Sequence, residues 1–596
     1  MKRIATTSLL PLALALSTLG LSACQSAVEP VGAVASCDSQ CQQQRFSQLS
    51  QQLIDELWTL SPDWAVYAGN YQYAEQMVLP DASQRAAQLA FVSRWRAQLS
   101  SIDKAQLSSS LQTDFALIEN TLDSMQWQQQ RFKRWQWDPA SYNVGGVIGR
   151  LLSEPWGSEE DKLKALLARM AKIPDYYAAA RINLDNPTRE HTELAILQNN
   201  GTLGLFSPEL LERAKQSPLS DADKVNFEQR YLASRQAISS YVTHLEQRLA
   251  QMENEPAKSF RIGETLYEEK FALDIQAGMT AAELYQRALA DKDYAQQQML
   301  ELTKQLWPKY FPDGPMPSDS KQAIRTLIDH LSVKHVARQD FVSEIEKQIP
   351  ELTQFVNDQD LLTLDPTKPL LVRETPEYMR GFAGASISAP GPFDTGGNTY
   401  YNVTPLDKLS PEQAESYLRE YNHWVLQILN IHEAIPGHYA QLVYSNNESS
   451  SLVKSLFGNG AMIEGWAVYA ERMMLEAGYG EFEPELWLMY WKWNLRVVCN
   501  TILDYRMHVL NIDKAQGLDL LVNEAFQQQT EAEQKWRRAT LSQVQLTSYY
   551  SGFREIYDLR DELRASQGEQ FNLKQFHQQF LSYGSAPVKE VRKLML

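Results

Sequence analysis

The sequence predicts a mainly α-helical protein with one small β element, on three observations. From residue 43 onward apolar residues recur at three- and four-residue steps, the period of a helix with one buried face. Many of these stretches open on Ser, Thr or Asp, or carry Pro in the first turn, as in SPEQAESYL from Ser410 and MTAAELYQRAL around Thr280. Strand-like material, β-branched and aromatic with Pro and Gly punctuation, is confined to about 370–404.

Residues 1–23 start basic at Lys2 and Arg3, run apolar and end small, which is the layout of an export signal. The apolar run is too short and too interrupted for a stable membrane span. Its end, Leu21-Ser22-Ala23-Cys24, resembles a bacterial lipobox. That implies a lipidated Cys24 at the mature N-terminus and a membrane tether facing the periplasm. Gln25, rather than Asp, implies the outer membrane by resemblance to known sorting rules. The alternative is a plain secretory signal with a chance cysteine. Residues 24–42 are small and polar and read as a flexible tether. Cys37 and Cys41 either pair as a small disulfide, which an oxidising periplasm permits, or remain free thiols. Cys499 lies in an apolar run and is expected to be a buried packing residue.

The stretch RFSQLSQQLIDELWTL (45–60) places Phe46, Leu49, Leu53, Ile54, Leu57 and Trp58 on one helical face. Similar periodicity predicts helices over 82–99, 112–135, 160–184, 222–253, 279–307, 320–332, 338–356, 411–434, 461–476, 485–512 and 532–564. No repeat of fixed period interrupts them. KPLLVRETP (368–376) and ASISAPGPFDTGGNTYYNV (385–403) supply either a few strands, whose edge would take an extended peptide through main-chain hydrogen bonds, or a long loop with a hairpin. Length alone, 596 residues, suggests several domains, but large helical enzymes reach this size as one body. A single domain over 43–596 is therefore expected, with an N-terminal lobe to about 290 and a catalytic lobe over 291–596. A content of 44% hydrophobic and 22% charged residues excludes general disorder. The formal net charge of −17, with lysines and arginines scattered, excludes nucleic acid as a partner.

The chemistry concentrates at NIHEAIPGHYAQ (430–441). In H-E-x-x-H two imidazoles four residues apart share one helix face and one metal ion. Here six residues separate His432 from His438, which leaves them about 120° apart on a straight helix. The helix is not expected to be straight. Pro436 has no N–H for the carbonyl of His432 and its ring collides with that carbonyl. Ile435, before proline, is pushed out of helical geometry, and Gly437 adopts dihedrals closed to other residues. A break between Ile435 and His438 can therefore bring His438 back toward His432. Catalytic zinc takes three protein ligands and keeps one position open. Downstream, NGAMIEGWAVYAERMMLE carries Glu464 and Glu471 seven residues apart on one helical face in apolar surroundings. Glu464 is expected as the third ligand, with Glu471 either behind the ligands or an acid on the surface. Two imidazoles favour zinc over magnesium or calcium. Glu433, next to a ligand, is the expected general base for a metal-activated water.

The pair His432-Glu-Ala-Ile-Pro-Gly-His438 and Ile463-Glu-Gly-Trp-Ala-Val-Tyr-Ala-Glu471 resembles domain-of-unknown-function family 885. DYRMH (504–508), SYYSG (548–552) and FNLKQFHQQFLSYGSAPV (571–588) are similar to further signatures of that family, and NPTREHTELAILQNNG and GETLYEEKF are weaker echoes. The chain departs from the pattern at Tyr439, where the family commonly has another histidine, and in DYRMH, where the family has a glycine. The resemblance implies a gluzincin-like metallopeptidase: a large multi-helix body with a deep central groove that admits short peptides. By likeness to oligopeptidase-type gluzincins, His508 with Tyr549 or Tyr550 would stabilise the oxyanion. His508 is otherwise the buried partner of Asp504, and Tyr549-Tyr550 ordinary packing. Asp504 is expected behind the catalytic residues. Arg496 would hold a substrate carboxylate, as suits a carboxypeptidase or dipeptidase, or neutralise nearby acids. His577 and the aromatic run WLMYWKW (487–493) are expected as packing. Rival readings are a zinc-dependent amidase or esterase on a non-peptide substrate, and a catalytically silent lipoprotein binding factor on the same fold.

Overall fold

Local sequence sets the helix ends in the computed structural model, which describes residues 38–380, 384–394 and 396–596. Asp81 and Asp319 accept backbone N–H groups at 2.9 and 2.7 Å and start helices Ala82–Leu99 and Ser320–Ser332, the two predicted stretches reproduced end to end. Thr280 with Glu283, and Ser410 with Gln413, form reciprocal capping boxes. Three predicted helices are each two. The 160–184 stretch divides into Glu159–Met170 and Ile173–Asn183, where Pro174 has no N–H to continue the ladder. The 411–434 stretch divides into Pro411–Glu420 and His423–Glu433, because Asn422 turns its side chain to cap the second. The 532–564 stretch divides into Gln529–Leu541 and Ser548–Gln567 around a turn in which Val544 has φ 70°. Helices Gly145–Ser153, Arg189–Leu205, Pro208–Gln216 and Gly263–Asp274 lie outside the stretches that periodicity predicts, the first and last opening on glycine.

The β element is a three-stranded sheet rather than a hairpin. β1 (Leu370–Glu374) and β2 (Ala385–Ser388) both pair with the central β3 (Thr399–Val403), β1 in parallel and β2 antiparallel. Tyr401 and Val403 of β3 are buried. The Tyr401 hydroxyl donates to Asn430 Oδ1 at 2.9 Å, and Asn430 donates to Gln348 Oε1 at 2.8 Å. This chain fastens the sheet to helix His423–Glu433 and leaves β2 at the edge.

The principal core joins helices Ser39–Leu60, Ala82–Leu99 and Ser109–Trp127 to those of the C-terminal half, and a second apolar cluster gathers residues between Met77 and Leu245. The expected lobe boundary near 290 falls inside the 30-residue helix Ala281–Tyr310. The tether is also shorter than expected: Asp38 caps Cys41 N–H at 2.9 Å, and the first helix starts at Ser39. The export signal, Cys24 and Cys37 lie outside the described residues. Cys41 is disulfide-bonded and Cys499 is a free, buried thiol. Among the described residues no helix is long and apolar enough to cross a membrane.

Candidate metal centre

The motif helix stops where the sequence expects. Helix His423–Glu433 ends at Ala434 (φ −110°, ψ −87°), the Ile435–Pro436 bond is cis, and helix His438–Glu448 begins on the second histidine. Gly437 is required here for space rather than for its φ of −70°. A Cβ on it would lie 1.9 Å from the His432 carbonyl oxygen and 2.3 Å from that of Ile431. The Gly437 N–H donates to Ile431 O at 3.0 Å, and the Trp466 indole donates to Pro436 O at 2.9 Å. The reversal is thus closed from within and clamped from the facing helix Gly460–Glu476.

One ligand atom from each of His432, His438 and Glu464 lies within 4.8 Å of the others. Glu464 Oε2 is 3.3 Å from His438 Nε2 and 3.7 Å from His432 Nε2. On the other edge of the ring, His432 Nδ1 lies 2.7 Å from Glu471 Oε1, and Glu471 is fully buried. A carboxylate behind a ligating histidine fixes its tautomer and raises its basicity. Burial would lower the His432 pKa, but the carboxylates of Glu464 and Glu471 beside it outweigh burial and raise the value to about 10. Burial opposes ionisation of Glu464, yet the His432 and His438 imidazoles beside it hold its pKa well below the usual range. Glu471 is pushed up by burial. Two imidazole nitrogens and an ionised carboxylate oxygen therefore converge on one point. Glu464 Oε2 and His438 Nδ1 are buried without a hydrogen-bond partner. This donor set fits a zinc-class ion.

Of the three converging residues, His432 lines a cleft of about 750 Å³, open mouth included, and Glu433 lines it beside His432. The cleft is bounded by β2 at Ala385, by Trp493 and Arg496 of helix Pro484–His508, and by helix Gln529–Leu541. Of the two adjacent tyrosines, only Tyr549 lines it. Its ring stacks 6.2 Å from that of His432, and its hydroxyl accepts from Arg538 Nη2 at 2.8 Å. Burial pushes the Tyr549 pKa up to about 12, so the hydroxyl keeps its proton. Tyr550 is corrected: one residue on, it faces the other way and donates to Asp291 at 2.7 Å.

His508 is corrected too. It is fully buried outside the cleft, between Phe260 and Tyr267, with Nε2 2.9 Å from Ala539 O. Burial lowers its pKa to about 4, which leaves a neutral ring that donates to that carbonyl. Asp504 touches neither the ligands nor Glu433. Its Oδ2 accepts from Tyr267 at 2.6 Å and from the Val544 N–H at 2.8 Å, which anchors the turn before Tyr549. That turn carries Gln545, whose amide is 3.3 Å from Glu464 Oε1. Arg496 lines the cleft but is bound by Glu531 at 2.7 Å and by the Tyr421 hydroxyl, so it neutralises an acid instead of waiting for a substrate. His577 packs between Leu361 O and Tyr469, as expected. Periodicity reasoning missed Glu531, Lys535 and Arg538. Their spacing of four and three residues, one helical face, was a signal in the sequence.

Two of the quoted motifs meet at a bare backbone crossing. A Cβ on Gly465 would stand 2.3 Å from the Gly552 carbonyl carbon, and one on Gly552 would stand 1.7 Å from Ala461 O. Helices Gly460–Glu476 and Ser548–Gln567 therefore touch without side chains between them, which sets Tyr549 beside Glu464. EGW thus has three separate tasks: Glu464 faces the histidines, Gly465 admits the neighbouring helix, and Trp466 clamps Pro436.

Residues 62–595 match the family described as bacterial protein of unknown function, DUF885. No curated protein sequence matches the chain. A presumed lipoprotein of unknown function from Shewanella oneidensis is 60% identical, with 92% of this chain and 99% of that one aligned at a TM-score of 0.82. A presumed lipoprotein from Colwellia psychrerythraea shares the fold at 16% identity and a TM-score of 0.74, over 93% of this chain and 98% of that one. With the match spanning nearly the whole described fold, the chain belongs to the DUF885 family of bacterial proteins.

Proposed function

We propose that the protein is a zinc-dependent peptidase of the gluzincin type, acting on short peptides and held at the periplasmic face of the cell envelope by a lipid on Cys24. The observation that carries the reading is the convergence of His432, His438 and Glu464, with Glu471 behind His432 and Glu433 in the same cleft. When bound, an ion of this class polarises a carbonyl and acidifies water. The protein's own groups do the rest. Glu433 takes the proton of the attacking water and returns it to the leaving nitrogen. The hydroxyl of Tyr549, polarised by Arg538, and the Arg538 guanidinium are the donors for charge developing on the substrate oxygen. Edge strand β2, at the cleft through Ala385, offers main-chain groups to an extended peptide. The lipobox at Cys24 and the description of the Shewanella relative as a presumed lipoprotein support the anchor.

The test is Glu433→Gln. The variant should bind one zinc ion like the parent, measured by elemental analysis, and lose at least about a hundredfold in kcat on a mixed peptide library read by mass spectrometry. A parent without stoichiometric zinc removes the foundation of this reading. Full activity in the variant removes Glu433 as the base.

A further inference from the structure

The cleft wall formed by helix Gln529–Leu541 carries a buried ammonium whose nearest carboxylate is already held by an arginine. Lys535 and Arg538 stand on the cleft face of that helix, and Arg496 reaches the same space from helix Pro484–His508. Glu433 and Glu531 are the carboxylates of the cleft lining, and Arg496 holds Glu531 at 2.7 Å. The ammonium of Lys535 is 4.0 Å from the same Glu531 oxygen, the outer limit of an ion pair. The next acid, Glu420, is taken by Lys492 at 2.8 Å and by the Gln528 N–H at 2.9 Å. Yet the Lys535 side chain is only 4% exposed. A buried ammonium with so weak a counter-charge is unstable as it stands, and its pKa is driven well down by burial and by the neighbouring arginines. Next to it, past Tyr417 and Arg538, the cleft continues into an apolar pocket walled by Leu406, Leu409 and Leu541.

We propose that Lys535 is the recognition site for a substrate carboxylate, and that the cleft selects peptides presenting one next to an apolar side chain. This rests on the peptidase reading and names its substrate class. A carboxylate here supplies the charge that Glu531 does not, and places the adjoining residue at the mouth of the apolar pocket. The scissile carbonyl then lies on the side of Glu433 and Tyr549. A peptide C-terminus and an acidic side chain share this chemistry, and the two sources are separable by experiment.

Three acetylated peptides serve as probes. One ends in Phe with a free carboxylate, one in Phe carboxamide, and one is a carboxamide with Asp in place of an internal Asn. Binding is measured by calorimetry to the zinc-loaded Glu433→Gln protein, and kcat/KM is measured on the parent. The free carboxylate should bind at least about tenfold tighter than the carboxamide, a preference that Lys535→Met abolishes and Lys535→Arg largely keeps. Affinity for the carboxamide should be unchanged in both. A preference for the Asp probe instead supports the same subsite with a side chain as the source. Equal binding of all three, or equal losses for all three in Lys535→Met, overturns the subsite and makes Lys535 structural. Carboxylate-selective binding without hydrolysis by the parent keeps the subsite and removes the peptidase. Hydrolysis without carboxylate preference does the reverse.

Discussion

Alanine at position 437 would place a methyl carbon 1.9 Å from the His432 carbonyl oxygen, where ordinary contact begins at 3.4 Å. The negative φ of −70° is one that alanine shares, and the effect rests on the contact of the added carbon. Both neighbours in the clash are main-chain atoms of the first ligand helix and neither can rotate aside. Relief requires helix His438–Glu448 to move by roughly 1.5 Å relative to helix His423–Glu433, whereas metal–ligand distances tolerate about 0.2 Å. His438 then leaves the coordination sphere. Zinc affinity in Gly437→Ala should fall by at least about a hundredfold, near 2.7 kcal/mol, read by competition with a chromophoric chelator. The zinc-dependent rise in melting temperature should vanish with it. Gly204→Ala is the control: its Cβ would meet nothing within 4 Å, and stability should stay level or gain about 0.4–1 kcal/mol. Zinc binding within threefold of the parent in Gly437→Ala refutes the dependence of His438 on this turn.

Two further outcomes follow from the same cluster. Glu471→Gln removes the charge behind His432 Nδ1 and should weaken zinc binding about 10- to 100-fold while far-ultraviolet circular dichroism stays unchanged; an unaltered dissociation constant would show that the contact is only packing. In the zinc-free protein His432 has its pKa raised to about 10, so it is protonated at neutral pH and the ion must displace that proton. Apparent zinc affinity should therefore strengthen about tenfold per pH unit from 7 to 8.5 and weaken on acidification, with one proton released per ion in calorimetry across buffers of different ionisation enthalpy. A flat profile contradicts the shift.

What the sequence disclosed and what it hid have separate physical causes. The helix break at Pro436-Gly437 was legible because proline and glycine act on their own backbone, through a missing N–H and a missing Cβ. The Glu464–Glu471 pair was legible because seven residues is two helical turns, and both acids do face His432. Tyr549 and Tyr550 were not separable by any local rule. Neighbours on a helix point about 100° apart, and only packing decides which meets the cleft. Asp504 and His508 misled because an acid and a histidine four residues apart suit both a catalytic pair and a buried pair. Here the ring is enclosed by Phe260 and Tyr267, which come from a helix some 240 residues earlier and from the segment just before it. Lys535 and Arg538 were overlooked because a charged helical face ordinarily meets water, and this one meets the cleft. Periodicity marks a helix but says nothing about which core it joins, so it cannot place a lobe boundary.

The Gly465–Gly552 contact has a mechanical consequence. Two helices held apart by side chains can shift as rotamers change, but backbone resting on backbone has no such slack. Glu464 and Tyr549 therefore ride on one stiff crossing, the fixed jaw of the cleft. Any widening to admit a substrate belongs to the opposite side, where a short three-stranded sheet packs on helix His423–Glu433 and is tied to it by the hydrogen bond from Tyr401 to Asn430.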